Sequence, residues 1–118
     1  MNPWPGIQCA VTRQTDDGQP KGGWIPEQRI SVAQAIAAYT IGAAYASHRE
    51  ATEGSLEPGK LADLIFISQN PFEIDPLNIG KTEVILTIVG GRVVYRPTNE
   101  QSPNRSTTAR TPGASSKP

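Results

Sequence analysis

The sequence has little of what builds a self-contained catalytic or stapled protein. It holds one cysteine, Cys9, so no intrachain disulfide framework exists. It holds one histidine, His48. A zinc site wants three or four Cys, His or carboxylate ligands, so no such site is expected within this chain. Aromatics make up only 6% of the residues, and the formal net charge is zero. That balance leaves no electrostatic footprint for nucleic acid or an acidic membrane surface. No apolar run reaches the ~20 residues of a membrane span. The longest stretch without a charge, 30–48, is interrupted by Ser31, Gln34, Thr40, Gly42 and Ser47. No basic n-region and apolar h-region follow Met1, so the expected location is cytoplasmic. With 118 residues, the chain is also too short for a (β/α)₈ barrel, which takes about 250.

What is present divides into three parts: 1–50, 51–96 and 97–118. The last holds Pro, Thr, Ser, Asn, Gly and Ala with four charges and no large apolar side chain. Such a segment cannot offset its ordering entropy, and a disordered tail is expected.

The first part is helical. Ile7, Ala10 and Val11 lie at helical spacing over 5–14, and Pro5 suits a first turn. Residues 15–29 are dense in Gly, Pro and Asp and read as a loop anchored by Trp24 and Ile25. Ser31-Val32-Ala33-Gln34 fits a capping box and opens the clearest helix, with Val32, Ile36 and Tyr39 as its apolar stripe. Gly42 is expected to break or kink it, with a short turn at 43–47. Neither face of this helix carries a charge, whereas a surface helix normally has one charged face. It therefore expects cover on more than one side.

The second part is β. Pro58-Gly59 marks a turn. Leu61–Ile67 is almost continuously apolar, as in a strand buried on both faces. Residues 71–82 read as an irregular connection anchored by Phe72, Ile74, Leu77 and Ile79. Glu83–Val89 and Arg92–Tyr95 flank Gly90-Gly91, a two-residue hairpin signal. The fold class is α+β, with about three strands whose apolar faces exceed what so small a sheet can cover.

No residue set carries catalysis. His48 reads as an exposed histidine near a helix C-terminus. Cys9, among Ile7, Ala10 and Val11, reads as a buried inert thiol. Asp16-Asp17-Gly18 lacks the later ligands of a calcium loop and reads as a turn. Arg13 reads as a helix C-terminal charge. No nucleophile, base and orienting group occur together.

The run Gly54-Ser55-Leu56-Glu57-Pro58-Gly59-Lys60-Leu61-Ala62-Asp63-Leu64-Ile65-Phe66-Ile67 resembles the signature near the C-terminus of metal-dependent amidohydrolases. The alanine-rich helix before it and the hairpin Thr87–Tyr95 after it resemble that family too. Ala10-Val11-Thr12-Arg13 and Trp24–Ser31 point more narrowly to YtcJ-like amidohydrolases. The resemblance implies a hydrolase of carbon–nitrogen, non-peptide bonds that uses zinc or another divalent metal to activate water. It implies a (β/α)₈ barrel plus a composite β-sandwich. This chain would contribute short helices from the end of the barrel and a few sandwich strands, an incomplete domain. The family's H-x-H pair and metal aspartate have no counterpart here, so the chain is expected to hold no catalytic residue, bind no metal and be inactive alone. Trp4 would lie near the mouth of the active site as a candidate substrate contact, with packing as its competing role. Pro58, Gly59, Lys60 and Asp63 would be structural. The expected partner is the missing N-terminal barrel and sandwich portion, or another copy; no nucleic acid and no membrane are expected. The alternative is a non-catalytic interaction module or subunit docking on a separate barrel partner.

Overall fold

A computed structural model describes residues 1–98. The tail expected at 97–118 therefore falls, from 99 onward, outside the described residues. Three short helical stretches precede a three-stranded antiparallel sheet: α1 (Trp4–Thr12), α2 (Val32–Ala37), α3 (Ala43–Ala46), β1 (Leu64–Ile67), β2 (Val84–Val89) and β3 (Arg92–Tyr95). Short 3₁₀ segments lie at Pro26–Gln28 and Pro76–Lys81. No helix among the described residues is long and apolar enough to cross a membrane.

Helix α1 forms where the spacing placed it. Asn2 Oδ1 accepts from Trp4 N at 3.1 Å beside the entry, and Pro5 sits in the first turn, where its missing N–H costs nothing. The helix ends at Arg13, whose left-handed backbone (φ 53°) sends its N–H to the Cys9 carbonyl at 2.7 Å. Its buried face is Trp4, Ile7, Gln8 and Thr12. Cys9 lies two residues from Ile7, on the opposite side, and is exposed rather than buried. The polar Gln8 takes the inward place instead. Its Oε1 accepts from Gly80 N at 2.6 Å, tying the first helix to the Pro76–Lys81 turn.

Helix α2 carries the complete capping box. Ser31 Oγ accepts from Gln34 N at 3.1 Å, and Gln34 Oε1 accepts from Ser31 N at 2.9 Å. Replacing Ser31 by alanine is expected to cost about 1 kcal/mol, read as a lower urea midpoint with an unchanged slope. Gly42 does not break the helix. Ala38–Gly42 form a π-helical turn, and the chain continues directly into α3.

The core is small: Trp4, Ile7, Ala35 and Ile79, with Val11, Val32, Ile36, Ile67 and Ile74 packed around them. Ile79 is fully buried. Burying one such side chain contributes roughly 1.5–3 kcal/mol. Of the four anchors expected in 71–82, Phe72 is exposed; it closes an Asx turn that Asn70 begins, its N–H donating to Asn70 Oδ1 at 3.0 Å. Trp24 is exposed as well and lies beneath the Arg13 guanidinium, 5.1 Å from the ring centre, while Arg13 Nε donates to the Trp24 carbonyl at 2.6 Å.

The sheet has the order β1-β2-β3. Gly90 and Gly91 both have positive φ, as a two-residue hairpin requires. Strand β1 is shorter than expected and is not buried on both faces: Ile65 and Phe66 are exposed. The physical reason lies in the pairing. Leu64 faces Ile88, Phe66 faces Leu86, and Ile88 faces Val93, which puts these five residues on one face of the sheet. Ile65, Thr87 and Tyr95 share the other. Helices and sheet touch sparingly, and Ile67 is the strand residue packed on the helical core. A sheet this apolar is left largely uncovered by the described residues.

Candidate functional site

Trp4 is the expected substrate contact, and the fold sets its surroundings. It begins α1 with its ring inward, 4% exposed. Its indole Nε1 is buried with no hydrogen-bond partner among the described residues. Beside it lies an apolar slot of about 630 Å³. Trp4 and Ile7 of α1 form one wall, Ile36, Tyr39 and Thr40 a second, and Ile65 and Ile67 of β1 a third. Pro3, Gln69, Asn70, Pro71 and Phe72 complete the lining. No charged side chain lines this space. It suits apolar, uncharged groups, with the side chains of Tyr39, Thr40, Gln69 and Asn70 as its polar members, and brings together no acid, base and nucleophile for bond cleavage.

The titratable residues lie apart. His48 is exposed just after α3 in a left-handed conformation (φ 58°). Glu50 has one buried carboxylate oxygen, Oε2, without a partner; the sequence offered no signal for its burial. Asp16 Oδ1 accepts from Gln8 Nε2 at 3.4 Å, and Asp17 accepts from the Thr15 hydroxyl. Among the described residues no three of His, Cys, Asp and Glu gather in a way that could hold a metal ion.

The signature around Pro58-Gly59 holds the turn and the hairpin. Ser55 Oγ donates to Glu57 Oε2 at 2.5 Å and accepts from Lys60 Nζ at 2.8 Å. Lys60 also pairs with Glu57 at 3.1 Å. The Ser55 hydroxyl, then Lys60, hold the Glu57 carboxyl below its ordinary pKa. Glu57 is exposed, so this pairing adds little to stability. Asp63 Oδ1 accepts from Gly90 N at 2.7 Å, and the Ala62 carbonyl accepts from Gly91 N at 3.1 Å. One carboxylate thereby pins the β2–β3 turn to the entry of β1, 27 residues away in sequence.

Comparison with known proteins places this arrangement. No solved structure matches the chain. The Bacillus subtilis protein YtcJ, described as an amidohydrolase, is 33% identical over 95 residues, covering 80% of this chain and 18% of its own. The N-substituted formamide deformylase of Arthrobacter pascens is 34% identical over 89 residues, 75% of this chain and 16% of its own. The imidazolonepropionase of Bacteroides thetaiotaomicron is 34% identical over 93 residues, 70% of this chain and 22% of its own. The chain thus spans about a fifth of the length of these curated relatives. Residues 1–95 match the sequence model of the amidohydrolase family, nearly the whole described span, and the chain belongs to that family.

Proposed function

We propose that the chain is the C-terminal, non-catalytic portion of an amidohydrolase acting on carbon–nitrogen bonds other than peptide bonds. The observation that carries this reading is the pairing of a family match over residues 1–95 with a span of only 16–22% of the relatives. The donor inventory supports it, since one histidine and one cysteine, both exposed, cannot form the metal centre. The name of the formamide deformylase supports the bond class. In such an enzyme the divalent metal supplies an activated water. This chain supplies packing surface: its helices back onto the barrel, and its strands complete a sandwich with strands from outside residues 1–118. A cytoplasmic location goes with this reading.

The bare apolar surfaces also favour a second reading, a module that docks on a separate barrel subunit. In either case the 118-residue chain by itself is expected to retain no stoichiometric zinc after equilibrium dialysis and to release no formate from an N-substituted formamide. One zinc per chain accompanied by turnover would overturn both readings. Elution that shifts toward larger species as concentration rises is the expected signature of uncovered faces. A monodisperse monomer at every concentration counts against missing cover.

A further inference from the structure

We propose that a separate cleft, between α1, the loop that follows it and the Pro76–Lys81 segment, binds a small zwitterion carrying one ammonium and one carboxylate group, such as a free amino acid. This cleft shares no lining residue with the slot beside Trp4 and does not depend on what covers that slot.

Charge sets the class of ligand. The cleft has a volume of about 330 Å³, and its lining holds one acid, Asp16, and one base, Lys81. Both residues are exposed, and neither takes part in an ion pair among the described residues. Asp16 lies on the loop and Lys81 at the end of the 3₁₀ segment. An anion entering alone would be drawn to Lys81 and repelled by Asp16, and a cation the reverse. A zwitterion satisfies both at once, through charge-assisted hydrogen bonds that are stronger than neutral ones. Asn78 adds an amide to the lining, and Pro5 and Leu77 add apolar surface, which suits a short carbon skeleton.

The walls are held in place by the fold. Gln8, 4% exposed, joins all three elements: its Oε1 accepts from Gly80 N at 2.6 Å, and its Nε2 donates to Asp16 Oδ1 at 3.4 Å. That second bond is long, and an amide nitrogen has two hydrogens, so Gln8 and Asp16 both keep capacity for a ligand. The loop is braced from within. Thr15 N donates to the Gln19 carbonyl at 2.8 Å, and Gln14 Nε2 donates to the Gly18 and Pro20 carbonyls, each at 2.9 Å. A Cβ at Gly80 would lie 2.8 Å from Gln8 Oε1, so helix and 3₁₀ segment meet without a gap there. A ligand therefore has little of the site left to order, which favours binding.

The test titrates the isotope-labelled 118-residue chain with glycine and with γ-aminobutyrate, whose charges are differently spaced. Acetate and methylammonium, each carrying one of the two charges, are titrated in parallel. Nuclear magnetic resonance follows the Gln8 side-chain amide and the Gly80 N–H. At least one zwitterion is expected to shift both signals to saturation in the millimolar range. Acetate and methylammonium are expected to bind about tenfold more weakly or not at all, since each leaves one charge of the cleft unpaired. Asp16→Asn and Lys81→Gln, both on exposed side chains, are each expected to weaken zwitterion binding by about tenfold. Lys21→Gln, outside the cleft, is expected to leave it unchanged. The melting temperature of the unsubstituted chain is expected to rise with zwitterion concentration, and that of either cleft variant to rise less at the same concentration. Shifts that stay linear in concentration for both zwitterions would overturn the site. Equal affinity for acetate or methylammonium alone, or full affinity retained in either cleft variant, would show a single-charge contact and overturn it too. None of these outcomes bears on the family reading.

Discussion

Ile79→Ala is expected to unfold most of the isolated chain at room temperature. Ile79 is fully buried and sits on the 3₁₀ turn that packs against α1, within a cluster of only four buried residues. Large-to-small substitutions of this kind cost about 2–5 kcal/mol, because the removed methyls lose their burial and the cavity left behind does not close. A complete small domain has ~5–15 kcal/mol in total, and this core is smaller than a complete domain's. The measurement is the urea midpoint followed by far-ultraviolet circular dichroism, at a concentration low enough to suppress association. Val93→Ala, on an exposed strand position, is the comparison and is expected to move the midpoint little. Equal small losses from the two variants would show that the cluster is not what holds the helices.

Gly54→Ala is expected to be nearly as damaging, by a different route. Gly54 has φ 95°, a conformation that L side chains rarely adopt. A methyl there would lie 2.8 Å from Ala44 Cβ and 3.0 Å from Ile41 Cα. Neither atom can swing aside: one is backbone, and the other is the Cβ of a buried alanine. Backbone strain and overpacking together are expected to cost about 2–4 kcal/mol. Proteolysis under native conditions is the suitable readout, with faster cleavage expected around 47–56 as α3 separates from the loop. An unchanged cleavage pattern would mean that this loop is not seated on the helix.

Local chemistry was readable in the sequence, and burial was not. The Ser31–Gln34 cap and the Gly90-Gly91 turn depend on residues within four positions of each other, and both formed as the pattern indicated. Asp63 holds the β2–β3 turn, although its partner Gly90 is remote in sequence. Cys9, Trp24 and Phe72 depart from expectation for one common reason: apolar character says that a side chain gains from cover, not that cover exists. Leu61–Ile67 shows the same limit in a strand. Its composition fits burial on two faces, but the described residues supply little for either. The role of Gln8 as a bridge to Gly80, 72 residues away, had no sequence signal, because a glutamine at a helical position ordinarily faces water. Trp4 stands out in the sequence only through the family resemblance; the burial of its indole nitrogen is a property of the fold.

The π turn at Ala38–Gly42 acts as a phase corrector. Each helical residue advances about 100°, so nine steps from Ala35 would set Ala44 roughly 180° around the axis. The wider turn absorbs one residue and brings that angle back to about 80°. Ala35 and Ala44, the two buried alanines, are thereby kept within the same half of the cylinder. A single-residue deletion in 38–42 would restore a regular α-helix and keep its composition, capping and propensity. It would also remove the residue the wide turn absorbs, leaving the two alanines aligned as they are. A single insertion there would carry them apart. The segment is therefore expected to tolerate shortening by one residue far better than lengthening by one.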